Sequence, residues 1–436
     1  MKIIRSSLIL SMLTISGSIL GLISNVLLAS HWGLSKNFDT YFFVLSIPLF
    51  ASSLLSSSIS YRLTPIISSL EDRIIDLKKI IASSMSEILW IATIITILGI
   101  TLGPFFQSKL FLQGPKLEQG INLTLSITLG WIIFFTQVAL GFLTALLNGT
   151  RRFYSASLIN LFPYIGSLIC IGIFKDTLTV THLLLGLLFG LILAVGISSI
   201  LTRSLLLGSF EECFALPKIN SAYSRILGST LASSCFSFQA ISDAIWAIRT
   251  GEGNLSAINL SSRIIIGSCS LIISGPSVLL IPIFTDLIKQ GNANHFRKKY
   301  NSVIGIIMLL GSILALAILF FGADIVALLF LRNQFNSVDV DITSNILVIM
   351  ALGSIFMIMS VISLRILFCF PGQETYGAVI GSTWCLIYFL GSMFFYPKGI
   401  DAIAWTYVVS WALYFMMIYL HIRKISELSL ERASSK

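Results

Sequence analysis

Apolar runs of about 20 residues, almost free of charge, recur from one end of this chain to the other with short polar stretches between them. A helix rises about 1.5 Å per residue, so each run is long enough to cross the hydrocarbon of a bilayer. The pattern places spans near residues 6–30, 40–61, 83–106, 121–148, 153–174 and 181–207, then 223–248, 255–287, 303–321, 342–370, 376–396 and 402–422. An all-α polytopic membrane protein of about 12 transmembrane helices is therefore predicted. Composition agrees: 56% of residues are hydrophobic and 11% charged, and the mean hydropathy is +0.94, which excludes an ordinary soluble domain.

Charge sets the orientation. Lys2 and Arg5, the Arg73/Lys78/Lys79 group, Arg151 with Arg152, Arg297-Lys298-Lys299, and Arg423-Lys424 all fall on one side of a twelve-span arrangement. The opposite loops carry scattered cations, Lys36, Lys109, Lys175, Arg332 and Lys398. The positive-inside rule then predicts both termini in the cytoplasm. It also accounts for the net charge of +9 without a nucleic-acid partner, since these cations would lie beside anionic membrane lipids. The first span opens like a signal peptide, but its apolar part is long and it reads as a retained helix.

The two ends of an internal repeat can be read off the sequence. Ile23 to Gly33 aligns without gaps on Ile241 to Gly251, and, one residue short of the same offset, Pro65 to Leu70 aligns on Pro282 to Leu287. Each pair occupies the first two spans of its half, so two six-helix lobes are expected at 1–208 and 222–436, related by a pseudo-two-fold axis along the membrane normal and joined by a cytoplasmic linker at 209–221. Pro48, Pro65, Pro163, Pro276 and Pro282 fall within or at the ends of spans and are expected to kink helices for packing. Gly17 and Gly21 form a small-x-x-x-small pair suited to close helix contact.

Polar residues inside such spans are costly and become the candidates for function. Arg263, within Asn259-Leu-Ser-Ser-Arg-Ile-Ile-Ile-Gly267, is foremost: a cation there needs an anionic partner or a hydrated cavity. Asp39 begins the second span and Asp243 lies in the seventh; with Arg249 and Arg263 they are expected to line the space between lobes. Serine is dense along the second span at Ser52, Ser53, Ser56, Ser57, Ser58 and Ser60, so that helix must face either a hydrated cavity or another helix. The six cysteines and four histidines are scattered, and no metal or cofactor site is proposed. With no phosphate loop and no nucleophile–base set, an enzyme is not expected.

At these same segments the sequence resembles the MurJ/MviN lipid II flippases of the multidrug/oligosaccharidyl-lipid/polysaccharide exporter superfamily. The residues that carry it are Leu20-Gly21, Ala29, Gly33, Asp39-Thr-Tyr-Phe-Phe-Val44 and Ile47-Pro48, then Gly253 to Ile264 around Arg263, Leu279 to Pro282, Gly291-Asn292, Ala327 to Phe330, Phe335, Asp339 and Gln373-Glu-Thr375. The sequence also departs from that family: Ser18, Ser24, Ser52 and Ser53 stand where it carries cavity arginines, Ser57 replaces an acidic residue, and its two further carboxy-terminal spans are expected to be missing.

The resemblance implies a flippase of the bacterial cytoplasmic membrane that moves a polyprenyl-diphosphate-linked sugar, either a lipid II-like peptidoglycan precursor or another surface-polysaccharide intermediate, by alternating access. Arg263 would hold the diphosphate, with Asp39, Asp243, Asn25, Ser24 and Asn259 as further substrate contacts. A coupling ion, Na+ or H+, or the membrane potential would drive it. Two other readings stay open, a cation-coupled multidrug exporter using Asp243 and a non-transporting scaffold of an envelope-glycan synthesis complex.

Overall fold

A computed structural model describes residues 2–69, 74–112, 122–175, 177–206, 235–370 and 372–434. They are helical nearly throughout and divide into two compact units, Met1–Thr230 and Leu231–Lys436. The linker expected at 209–221, Cys213 and the first part of the seventh span lie outside the described residues.

The N-terminal unit contains α1 (Lys2–Trp32), α2 (Lys36–Ser69), α3 (Ile74–Leu112), α4 (Leu123–Gly149), α5 (Phe153–Ile159), α6 (Phe162–Ile173), α7 (Val180–Leu201) and the short α8 (Arg203–Leu206). The C-terminal unit contains α9 (Gln239–Trp246), flanked by 3-10 turns at Cys235–Phe238 and Ala247–Arg249, then α10 (Asn254–Lys289), α11 (Ala293–Phe330), α12 (Ser337–Leu367), α13 (Glu374–Phe395) and α14 (Ile400–Ser434). Among the described residues, ten stretches are long and apolar enough to cross a membrane. They coincide with the expected spans other than the first, which is helix α1, and the seventh, of which α9 is the described end.

Local sequence explains where these helices start. Asn122 accepts a hydrogen bond from the Leu125 backbone at 3.0 Å, Asn292 accepts one from His295 at 3.0 Å, and Asn336 and Asp339 form a reciprocal capping box, so backbone donors at these helix ends are satisfied. The fifth expected span is two helices. It breaks at Asn160–Leu161 and restarts with Pro163 in the first turn of α6, where the missing N–H leaves no bond unmade. Pro48, by contrast, lies within the continuous helix α2. Gly33 ends α1 at φ +59, and Gly251 ends the 3-10 turn after α9 at φ +152; these are the last residues of the aligned segments, and each sits where a side chain is disfavoured.

Packing follows the same order in both units. In the N-terminal unit α4 packs against α2, α3 and α7, while α6 pairs with α7; in the C-terminal unit α12 packs against α10, α11 and α14, while α13 pairs with α14. The serine-rich α2 turns part of its polar face to a helix: a side chain added at Gly141 of α4 would collide with Ser56. Ser46, Ser52, Ser53 and Ser58 return their hydroxyl protons to carbonyls of their own helix at 2.8–3.0 Å, which satisfies them without water. Gly17 and Gly21 of α1 meet Leu161 and Tyr164, a close approach of the kind their spacing predicts.

Candidate functional site

The first half of the second span of the C-terminal unit, α10, has an accessible face on which polar side chains share the surface with exposed Ile266. Ser256, Ala257, Leu260, Ser261 and Ile265 are fully buried, whereas Asn259 is half-buried and Arg263 and Ser270 are exposed. Steps of four and seven residues place these three on one helical face. Asn259 donates to the Leu255 carbonyl at 2.9 Å and Ser270 to Gly267 at 2.7 Å, so the Ser270 hydroxyl proton and one of the two Asn259 amide protons are satisfied while both oxygens remain acceptors. The Arg263 guanidinium, always charged and forked, is suited to bidentate recognition of a phosphate.

Asp243 is placed differently. It is 2% exposed, and its carboxylate accepts hydrogen bonds from the Tyr388 hydroxyl of α13 and from Gln239 Nε2 at 3.3 Å. The same Gln239 nitrogen reaches Ser262 Oγ at 3.2 Å, and the Ser262 hydroxyl points to Met350 Sδ of α12 at 4.0 Å. A largely buried polar chain thus links α9, α10 and α13 and reaches toward α12, one residue away from Arg263. Aromatic rings surround it: Tyr388 lies parallel to Trp384 at 5.7 Å between centroids, and Trp384 packs on Trp411 at 4.8 Å. Arg249 lies over the Trp246 ring at 4.7 Å, a cation–π contact that holds its head against α9.

The remaining candidates belong to the N-terminal unit. Ser24 and Asn25 are 6% and 5% exposed and fall on the buried stripe of α1 formed by Gly21, Leu28 and Ala29. Asp39, 1% exposed, occupies the first turn of α2, where the helix dipole favours a carboxylate. Of the six proposed substrate contacts, the structure brings Asn259 and Arg263 onto one accessible face, puts Asp243 in the interior of the same unit, and buries Ser24, Asn25 and Asp39. Gln239 and Tyr388 were not anticipated. Gln239 had a signal, standing one turn before Asp243; Tyr388, 145 residues away, had none. Among the described residues no three His, Cys, Asp or Glu side chains gather into a metal-sized group.

Long apolar helices in two units around buried polar residues define a polytopic membrane protein of transporter fold. Solved structures show the same fold: a lipid II flippase MurJ in an inward closed conformation superimposes with a TM-score of 0.74 at 18% identity, covering 97% of this chain and 91% of the other. An inward-facing multidrug resistance MATE family transporter of the MOP superfamily gives 0.77 at 13% identity, covering 96% of each. The family model for the lipid II flippase MurJ matches residues 4–434, and the chain belongs to that family. It is 23% identical over 367 residues to a probable lipid II flippase MurJ of Bdellovibrio bacteriovorus, covering 81% of this chain and 69% of the relative.

Proposed function

We propose that this protein translocates the headgroup of a polyprenyl-diphosphate-linked sugar, a peptidoglycan precursor or another surface-polysaccharide intermediate, across the bacterial cytoplasmic membrane by alternating access. The observation that carries the reading is the exposed Arg263 on the accessible face of α10, in a chain that matches the flippase family from residue 4 to residue 434. A diphosphate leaving water for a low-dielectric site must be paired, because an unpaired charge there is strongly penalised. Arg263 supplies the cation and the bidentate donors, and the Asn259 and Ser270 oxygens beside it accept from sugar hydroxyls.

The distribution of Lys and Arg supports cytoplasmic termini. With that orientation an inside-negative potential favours outward passage of the anionic headgroup by roughly 2.3 kcal/mol per charge per 100 mV. Exchange of H+ or Na+ at Asp243 is the coupling step we assign, on the ground that a carboxylate inside the unit has a hydroxyl and an amide as partners and no cation among the described residues.

Reconstitution in liposomes with a fluorescent polyprenyl-diphosphate sugar, scoring headgroup accessibility from each side, tests the proposal. Wild-type protein should equilibrate the headgroup across the bilayer. Losing a charged hydrogen-bonding pair of a few kcal/mol should slow Arg263→Ala by about 100-fold, with Arg263→Lys in between. Equal rates for wild type and Arg263→Ala would refute the assignment, and a wild type that moves no lipid-linked sugar would refute the function.

A further inference from the structure

In both units the fourth span lies between the third and the sixth, but the two units treat the space above it differently. In the C-terminal unit the protein fills it. Tyr300 of α11, 1% exposed, stacks on Tyr419 of α14 at 5.8 Å and shares a 2.9 Å hydrogen bond with Ser363 of α12. Arg297 of α11 also bonds Ser426 of α14 at 3.2 Å and pairs with Glu427.

In the N-terminal unit the corresponding helices α3 and α7 each pack on α4 yet scarcely touch one another. A partly open groove of about 140 Å³ remains, with Leu89 of α3 and Val195 of α7 as walls, Ala139 and Leu143 of α4 as floor, Ser199 as its hydroxyl, and Leu206 of α8 at its end. The surrounding helix faces are built for hydrocarbon: Trp90, Ile94, Ile192 and Ile200 are each 46–73% exposed.

Cations gather where Leu206 ends the groove. Arg203 stands on α8, exposed, one turn from Leu206. Arg152, also exposed, donates through Nη1 to the Leu201 carbonyl at 2.9 Å, which fixes its guanidinium at the C-terminal end of α7. A guanidinium has five N–H donors, so that bond leaves others free for an anion.

We propose that this groove is a binding site for an anionic phospholipid, one acyl chain lying along α4 between α3 and α7 and the phosphate resting on Arg152 and Arg203. An empty groove facing lipid forfeits dispersion contacts that a chain restores, while the cations select the headgroup. Bulk phospholipid also far outnumbers any lipid-linked precursor, and occupancy follows free ligand over Kd, so the resident is the abundant lipid rather than the transported one. The site is independent of the transport function proposed above and stands or falls separately from it.

The test is lipid retention by the full-length chain. Purified protein in mixed micelles holding equal phosphatidylglycerol and phosphatidylcholine, examined by native mass spectrometry, should retain one phosphatidylglycerol with at least five-fold preference. Arg152→Gln with Arg203→Gln should bring that preference close to one. Ala139→Phe, which fills the floor, should lose the retained lipid. Because that variant is a packing change, a phosphatidylglycerol with a diazirine on its acyl chain should also be photo-crosslinked to the wild type, with adducts on α3, α4 or α7 near the named residues. Equal retention of the two lipids, adducts confined to other helices, or displacement by a stoichiometric amount of polyprenyl phosphate would each overturn the proposal.

Discussion

The fourth span is the axle of each unit. Of the most apolar stretch of α4, 61% is buried, and of α12, 67%, against 17% for the third span of the N-terminal unit and 28% for that of the C-terminal unit. Each axle touches the second, third and sixth spans of its own unit. Around this shared plan the polar content diverges. In α2 the serines return hydrogen bonds to their own helix or abut α4, and Ser24 and Asn25 of α1 are buried. The second span of the C-terminal unit instead presents Asn259, Arg263 and Ser270 outward, with the largely buried Asp243–Tyr388–Gln239 chain behind them. One packing scheme thus supports two chemistries, because a mid-span guanidinium needs an accessible face while a serine can be satisfied by the turn that precedes it. The anion-binding capacity among the six proposed contacts accordingly comes from the C-terminal unit.

The sharpest way to break this comparison is to open in the C-terminal unit the space that its partner leaves open. Tyr300→Ala removes a ring packed against Phe284, Phe296 and Tyr419 and takes away the partner of Ser363. Large-to-small aromatic changes in a core cost about 3–5 kcal/mol, and unfolding in detergent by SDS titration should show a loss of that order. A change below about 1 kcal/mol would mean that the filled space does not hold α11, α12 and α14 together. Next comes Gly141→Val, whose side chain would drive into Ser56. Overpacking of this kind costs typically 1–3 kcal/mol, read by the same titration, and a neutral result would show that α2 and α4 adjust freely.

Much of this plan is legible in sequence, because hydrocarbon thickness fixes span length and backbone groups in lipid must be bonded within the helix. The aligned pairs Ile23–Gly33 with Ile241–Gly251 and Pro65–Leu70 with Pro282–Leu287 point to a duplication, and the same order of helix packing recurs in both units. The break at Asn160–Leu161 had only Pro163 as a hint, since a proline in a membrane helix signals a kink and a restart equally well, and Pro48 is carried without interruption. Arg263 could be singled out from composition, as its cost is set by depth. The burial of Asp39, Ser24 and Asn25 could not, because burial depends on which face of α1 and α2 meets a neighbour. The Asp243 carboxylate was visible, but its Tyr388 partner exists through the packing of α13 beside α9, which no local spacing encodes.

The aligned glycines test whether the repeat extends to backbone conformation. Gly33 lies at φ +59 and Gly251 at φ +152. Alanine in the left-handed region costs roughly 1 kcal/mol, and more at the second position, where the backbone favours glycine strongly; a side chain there would also come within 3.0 Å of Asn254 Nδ2. Gly251→Ala should therefore destabilise more than Gly33→Ala in the same titration. The reverse order would show that the shared glycine serves different needs in the two units.

The smallest effect is expected at the ion pair that joins the third and sixth spans of the C-terminal unit. Arg297 and Glu427 are 25% and 51% exposed, and a pair open to water on one side gains little after its screening and side-chain ordering are counted, about 0–1 kcal/mol. Ser426 accepts from Arg297 Nε at 3.2 Å, which adds a charged hydrogen bond but at the same wet end. Arg297→Ala should cost less than about 1 kcal/mol in unfolding, and the loss should shrink further in high salt. Tyr300, one turn deeper and buried, is the contrast: if the arginine variant proved as damaging as Tyr300→Ala, electrostatics at the rim rather than packing in the interior would be what closes the third and sixth spans over α12. Filling the groove of the N-terminal unit with a large side chain would then not bring α3 and α7 together.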